Sequence, residues 1–193
     1  MDESNELPPP ASQPAPNSWS RVARRIRVPL GFVFAILYVW LARPTRTSLI
    51  AGGVLLLPGL LLRAVASGHV QKNEQLATSG PYAHTRNPLY LGSLILAVGF
   101  AVAARSWWIV ATMLVMFGAI YVPVIAGEER FLRETFPEYD TYAQHVPRFW
   151  PRLKPFGSQQ GTYASTLYWK HREYNAALGC AIVLAMLVVK LVW

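Results

Sequence analysis

The stretch SGPYAHTRNPLYLG, residues 79 to 92, sets Tyr82, His84, Arg86, Asn87 and Tyr90 close together where an apolar run begins. Asn suits the position before a helix, and Pro88 suits the first helical position. One reading is a capped transmembrane helix with Tyr82 and Tyr90 in the interfacial aromatic belt. The other is chemical. A helix N-terminus offers free N–H groups and the positive end of a dipole, and Arg86 adds a full charge, so a carboxylate or phosphate can be held there. The second cluster is GEERFLRETFPEYDTYAQHVPRFWPRL, residues 127 to 153. Glu128 and Glu129 follow an apolar run and Pro123, and carboxylates at membrane depth are costly and tend to be functional or paired. The plain alternative is two solvated glutamates paired with Arg130 or Arg133. Taken together, one cluster supplies a cation and N–H groups and the other supplies carboxylates. A ligand with an amino-acid moiety fits between them, and the rings of Tyr82 and Tyr90 suit a sulfonium cation.

The elements that must position these clusters are apolar. The chain is 53% hydrophobic and 15% charged, against about a quarter charged in a soluble domain. Apolar runs cover residues 28–42, 48–66, 89–104, 107–126 and 174–192. A span needs roughly 20 apolar residues, so the second, fourth and fifth runs suffice alone, and the first and third are short. The expected fold is all-α integral membrane, with about five transmembrane helices and a cytoplasmic cofactor-binding region. Most arginines and lysines fall on the side shared by residues 19–27, 67–88 and 127–173, while Arg43, Arg46, Arg105 and Lys190 fall on the other. The bias of basic residues toward the cytoplasm then places the N-terminus and both clusters inside.

Residues 1–18 are Pro-rich and polar, read as a disordered tail without the basic start of a secretory signal. Residues 19–27, WSRVARRIR, suit a segment lying on the membrane surface. Residues 19–193 then form one membrane-embedded domain with its core motifs at 66–155. The net charge of +8 is accounted for by anionic lipid headgroups rather than nucleic acid. The single cysteine, Cys180, and the spacing of the histidines predict no metal site.

LATSGPYAHTRNPLYLG, then EERFL at the end of a span, then FPEYDTYAQHVPRFWP resemble, in this order, the isoprenylcysteine carboxyl methyltransferase and phospholipid methyltransferase family. The resemblance covers about residues 66–155. It implies a multi-span enzyme using S-adenosylmethionine. It also implies cofactor contacts at Lys72, Gln75, Leu76, Ala77, Tyr82, Arg86, Asn87, Pro88, Leu89, Tyr90, Glu128 and Glu129. The acceptor is expected to be lipophilic, either a prenylcysteine-like carboxylate or a lipid headgroup arriving from the bilayer.

Three positions depart from the carboxyl methyltransferase pattern. Asn87 stands where those enzymes have His, and Val124 stands where they have a substrate-binding Arg. The Arg before their Val-Pro is His145 here. Catalytic candidates are His145, Arg148 and Arg86, with His84 a second candidate base. His69 and His171 read as ordinary polar side chains. The block YASTLYWKHREYNAALG has two readings, an interfacial anchor or a contact for an acceptor headgroup. Two other functions remain open. Sterol-reductase-like NADPH enzymes are similar in their C-terminal half but much longer, and a non-catalytic scaffold could keep the same fold.

Overall fold

The computed structural model describes residues 31, 33–70, 75–157 and 161–193. The tail at 1–18, the surface segment at 19–27 and Lys72 lie outside the described residues. Helix α1 covers residues 33–41, α2 Arg46–Ser67 and α3 Pro88–Ala104. A 3₁₀ turn, Gly80–Ala83, precedes α3. Helix α4, Trp107–Met116, passes through a π-turn at Phe117–Tyr121 into α5, Val122–Thr135. Three more helices follow: α6 Tyr139–His145, α7 Ser165–Lys170 and α8 Tyr174–Val192. No strand occurs among the described residues.

Each of the five apolar runs contributes a helix. Three helical stretches are long and apolar enough to cross a bilayer: Arg46–Ser67, Trp107–Thr135 and Tyr174–Val192. Pro88–Ala104 is apolar but shorter. Large apolar side chains such as Ile50, Leu61, Leu114 and Val188 stay exposed on these helices, as lipid-facing side chains do. Exposed Trp107 and Trp108 mark one end of the bundle, and exposed Trp150 and Trp169 mark the other, the ends an aromatic belt occupies. The chain is an integral membrane protein.

The fourth run does not stop at residue 126, where its apolar composition ends. The helix continues through the charged residues to Thr135, so α5 carries Glu128 and Glu129 beyond the apolar stretch. Pro123 cannot donate within a helix. The π-turn lies just before it, and the Val122 N–H reaches back to the Phe117 carbonyl. Such turns re-aim the side chains that follow them.

Helices α2 and α3 approach backbone to backbone at two points, each built from a pair of glycines. A Cβ on Gly52 would stand 2.6 Å from the Gly99 carbonyl oxygen, and one on Gly59 would stand 3.0 Å from that of Gly92. In a bilayer such backbone approach supplies packing that hydrophobicity cannot. Thr45 starts α2 with a reciprocal cap, its hydroxyl accepting from the Ser48 N–H and the Ser48 hydroxyl accepting from the Thr45 N–H. At the same end Ser48 donates to the Ala103 carbonyl and Tyr38 to that of Phe100. Lys190 of α8 donates to the Val39 and Trp40 carbonyls, satisfying the end of α1. This end is therefore tied shut, and the opposite end is where the polar clusters meet.

Gly52→Val should destabilise the α2–α3 pair by roughly 1–3 kcal/mol, the range for overpacking. Gly53→Val, where an added Cβ meets nothing within 4 Å, should be nearly neutral. Thermal unfolding of the two variants in detergent checks this contrast.

Candidate functional site

The opening cluster is built on two backbone features. Gly80 has φ +56°, and a Cβ there would lie 2.6 Å from the His69 ring, so the turn into Tyr82 requires glycine. Residues 83–86 are then clasped by the segment after α6. The Arg86 N–H donates to the Pro147 carbonyl, the Arg152 N–H to that of His84, and the Phe156 N–H to that of Ala83. The Thr85 hydroxyl donates to the Arg148 carbonyl. The Tyr142 hydroxyl donates to the Tyr82 carbonyl at 2.7 Å.

Glu129 is the centre of this arrangement, with only 5% of its surface exposed. Its carboxylate accepts from Asn87 Nδ2 at 3.1 Å and from Arg148 through Nε and Nη2. Arg86 Nε stands 3.7 Å from the same carboxylate. Asn87 also donates to the Arg148 carbonyl. The expected capping role of Asn87 is thereby corrected. No side chain caps α3, because the Asn87 amide is committed to a buried carboxylate, which needs it more than a helix end does.

Arg86 Nε and the Tyr139 hydroxyl are both buried without a hydrogen-bond partner among the described residues. Burial pushes the Tyr139 phenol up, Glu129 adds to the shift and Arg86 opposes it. Burial, reinforced by Glu128, likewise pushes up Tyr82, and burial pushes up Tyr142. These phenols stay neutral and remain hydrogen-bond donors at physiological pH. Glu128 accepts from the Tyr90 hydroxyl at 2.9 Å. Tyr90 in turn meets Tyr121 edge to face, at 5.9 Å between ring centres.

These groups line a cavity of about 560 Å³, within the usual size of a small-molecule site. Gln75, Leu76, Ala77, Tyr82, Arg86, Asn87, Pro88, Leu89, Tyr90, Glu128 and Glu129 all contribute to its wall. His145 and Arg148 do not. Arg148 reaches the site through Glu129 and Asn87, and His145 sits at the end of α6 with Nδ1 against the Thr141 carbonyl. His84 is likewise outside the wall, its Nδ1 held by the Arg152 carbonyl.

The opposite wall holds residues the sequence clusters do not include. Arg63 Nε pairs with Glu173 Oε1 at 2.6 Å, joining α2 to the start of α8. Arg63 also donates to the Ser93 hydroxyl and to the Leu89 carbonyl. His171 and Ser67 also line the cavity, and His171 Nδ1 lies against the Ser67 carbonyl. A charged residue inside an apolar run was the available signal for Arg63. Glu173 carried no such signal, because its partner lies 110 positions away. Among the described residues no three His, Cys, Asp or Glu side chains gather to hold a metal ion.

The sequence pattern of the phospholipid methyltransferase family matches residues 29–139, more than half of the chain. The protein belongs to this family. The matched region contains the Arg86–Asn87 and Glu128–Glu129 clusters and ends before Tyr142, Arg148 and the His171–Glu173 turn. Among curated proteins, the cobalt-zinc-cadmium resistance protein CzcN of Cupriavidus metallidurans is 41% identical over 83 residues, 43% of this chain and 38% of its own length. The nickel-cobalt-cadmium resistance protein NccN of Alcaligenes xylosoxydans xylosoxydans is 37% identical over 89 residues, 46% of this chain and 42% of its own. The similarity thus spans less than half of either relative. No solved structure matches the chain.

Replacing Glu129 with Ala removes the counter-charge of a buried guanidinium, a loss of the order of 3–5 kcal/mol. Glu128→Ala should cost far less stability. Unfolding of both variants in detergent, followed by circular dichroism, tests the ranking.

Proposed function

We propose that the protein is a membrane-embedded methyltransferase that holds S-adenosylmethionine in the cavity between the two polar clusters and methylates a lipophilic acceptor. Family membership supports methyl transfer as the reaction class. The observation that carries the assignment of the cavity is that a buried guanidinium, Arg86, whose Nε makes no hydrogen bond among the described residues, lines the same cavity as the Glu128 carboxylate. Arg86 and the uncapped start of α3 suit the donor's carboxylate, whereas Glu128 and the Tyr82, Tyr90 and Tyr121 rings suit its cationic centres. Gln75, Leu76 and Ala77 supply the remaining wall toward the loop, with Lys72 beside them in sequence. Glu129 acts differently from Glu128: it fixes Arg86, Asn87 and Arg148, and so holds the cavity's shape.

When bound, S-adenosylmethionine supplies an electrophilic methyl group on a sulfonium. The chain's own contribution is positioning and the exclusion of water. Phe131, Leu132 and Phe136 give the cavity an apolar flank, and the acceptor's lipid chain approaches between helices from the bilayer. Val124 leaves α5 without the Arg that the carboxyl methyltransferases use for prenylcysteine, which favours a lipid headgroup as acceptor. The distribution of basic residues supports a cytoplasmic cavity and N-terminus. From the metal-resistance relatives we take only a setting, a membrane methylation that accompanies metal stress.

Calorimetric titration of the detergent-solubilised chain with S-adenosylhomocysteine tests this reading. Wild type should bind with micromolar affinity, and Glu128→Gln should weaken binding about tenfold or more, the loss of one charge-assisted contact. NADPH should give no heat. Binding of NADPH alone would replace the methyltransferase reading with a reductase, and silence from both ligands in folded protein would leave a scaffold.

A further inference from the structure

The wall opposite Glu128 comes in part from beyond the matched family region. His171, Arg172 and Glu173 form the turn between α7 and α8, and His171 and Glu173 both line the cavity. None of the other three histidines does. His171 Nδ1 lies 3.2 Å from the Ser67 carbonyl oxygen. A carbonyl only accepts, so Nδ1 carries the hydrogen, and Nε2 is the ring's proton-accepting atom. Glu173 is held beside it by Arg63, which is itself fixed by Ser93 and the Leu89 carbonyl. Arg172 has φ +53°, a left-handed conformation that a non-glycine residue adopts at a cost. That strain sits between the two residues that enter the cavity, a pattern characteristic of functional sites.

We propose that His171 is the proton acceptor for an amine-bearing acceptor, and that the Arg63–Glu173 pair seats the acceptor's ammonium against it; this rests on the methyltransferase reading above. A carboxylate acceptor is already ionised and needs no base. An ammonium has no lone pair until it loses a proton. Glu173 gives one oxygen to Arg63, and a carboxylate has further acceptor sites for an ammonium. The N–H bond of the ammonium breaks, and its proton passes to His171 Nε2. The freed lone pair forms the new N–C bond as the methyl–sulfur bond of a sulfonium donor breaks. The bonding pair stays on sulfur, leaving a neutral thioether, and the product is an ammonium with one more methyl group. His171 then returns its proton to water.

The full chain in lipid nanodiscs tests this with three acceptors: dodecylamine, a dodecylamine carrying two fluorines on its second carbon, whose lowered basicity leaves much of it neutral at pH 7, and dodecanoate. His171→Gln should keep S-adenosylhomocysteine affinity within about twofold and lose at least a hundredfold in kcat for dodecylamine. The fluorinated amine should be methylated nearly as fast by the variant as by wild type. Without any methyl donor, nitrogen NMR of wild type should show the Nδ1–H tautomer at His171, with Nε2 shifting on addition of dodecylamine and not of dodecanoate. Equal losses for both amines, an Nε2–H tautomer, or no amine methylation by wild type that binds S-adenosylhomocysteine would overturn the proposal. Failure of wild type to bind S-adenosylhomocysteine would instead overturn the methyltransferase reading beneath it.

Discussion

A carboxylate removed from water must be surrounded by donors, and the polar half of this protein is arranged around that requirement. Glu129 is buried and is served by Asn87 and Arg148, with Arg86 beside it. Those partners come from the start of α3 and from the segment after α6. One side chain on α5 thus fixes two separate stretches of chain. The cost of leaving it unpaired is several kcal/mol, more than any single loop contact can return. The neighbouring Glu128 carries no such duty. Its carboxylate is met by the Tyr90 hydroxyl at the cavity wall, so two adjacent glutamates sit differently, one locked among buried donors and one at the cavity wall.

The cavity follows from how the two ends of the bundle differ. At one end small residues and backbone carbonyls bring α1, α2, α3 and α8 together, through Gly52 against Gly99, Ser48 against Ala103 and Lys190 against the end of α1. At the other end charged side chains cross between the helices. Arg63 and Glu173 bridge α2 and α8, and Glu129 bridges α3 and α5. Space remains between the two bridges. The pocket between these two ion pairs has charged, aromatic and apolar walls.

Much of this was legible in the sequence where the signal was local. The apolar runs marked the helices, because a bilayer leaves few alternatives to a helix of apolar residues. The residues of the Tyr82–Tyr90 stretch and the Glu128–Glu129 pair were legible as polar groups placed where polarity is expensive. What escaped was tertiary. Asn87 before Pro88 has the composition of a cap, yet a buried carboxylate on another helix takes its side chain. The end of the apolar run at 126 concealed a helix that goes on to Thr135, since a helix leaving the membrane need not stop. His145 and His84 looked available as bases, but neither lines the cavity. His171 looked like an interfacial side chain, and only the fold brings it to the cavity through a strained turn far from either cluster.

The central claim is that one cavity, shared by the loop before α3 and by the α5 glutamates, receives the methyl donor. Hydrogen exchange of the full chain with saturating S-adenosylhomocysteine addresses it directly. Peptides covering residues 75–93 and 121–142 should become protected together, with the α1 region and the far half of α8 unchanged. Protection of only one of these two segments, or protection confined to the opposite end of the bundle, would contradict the account.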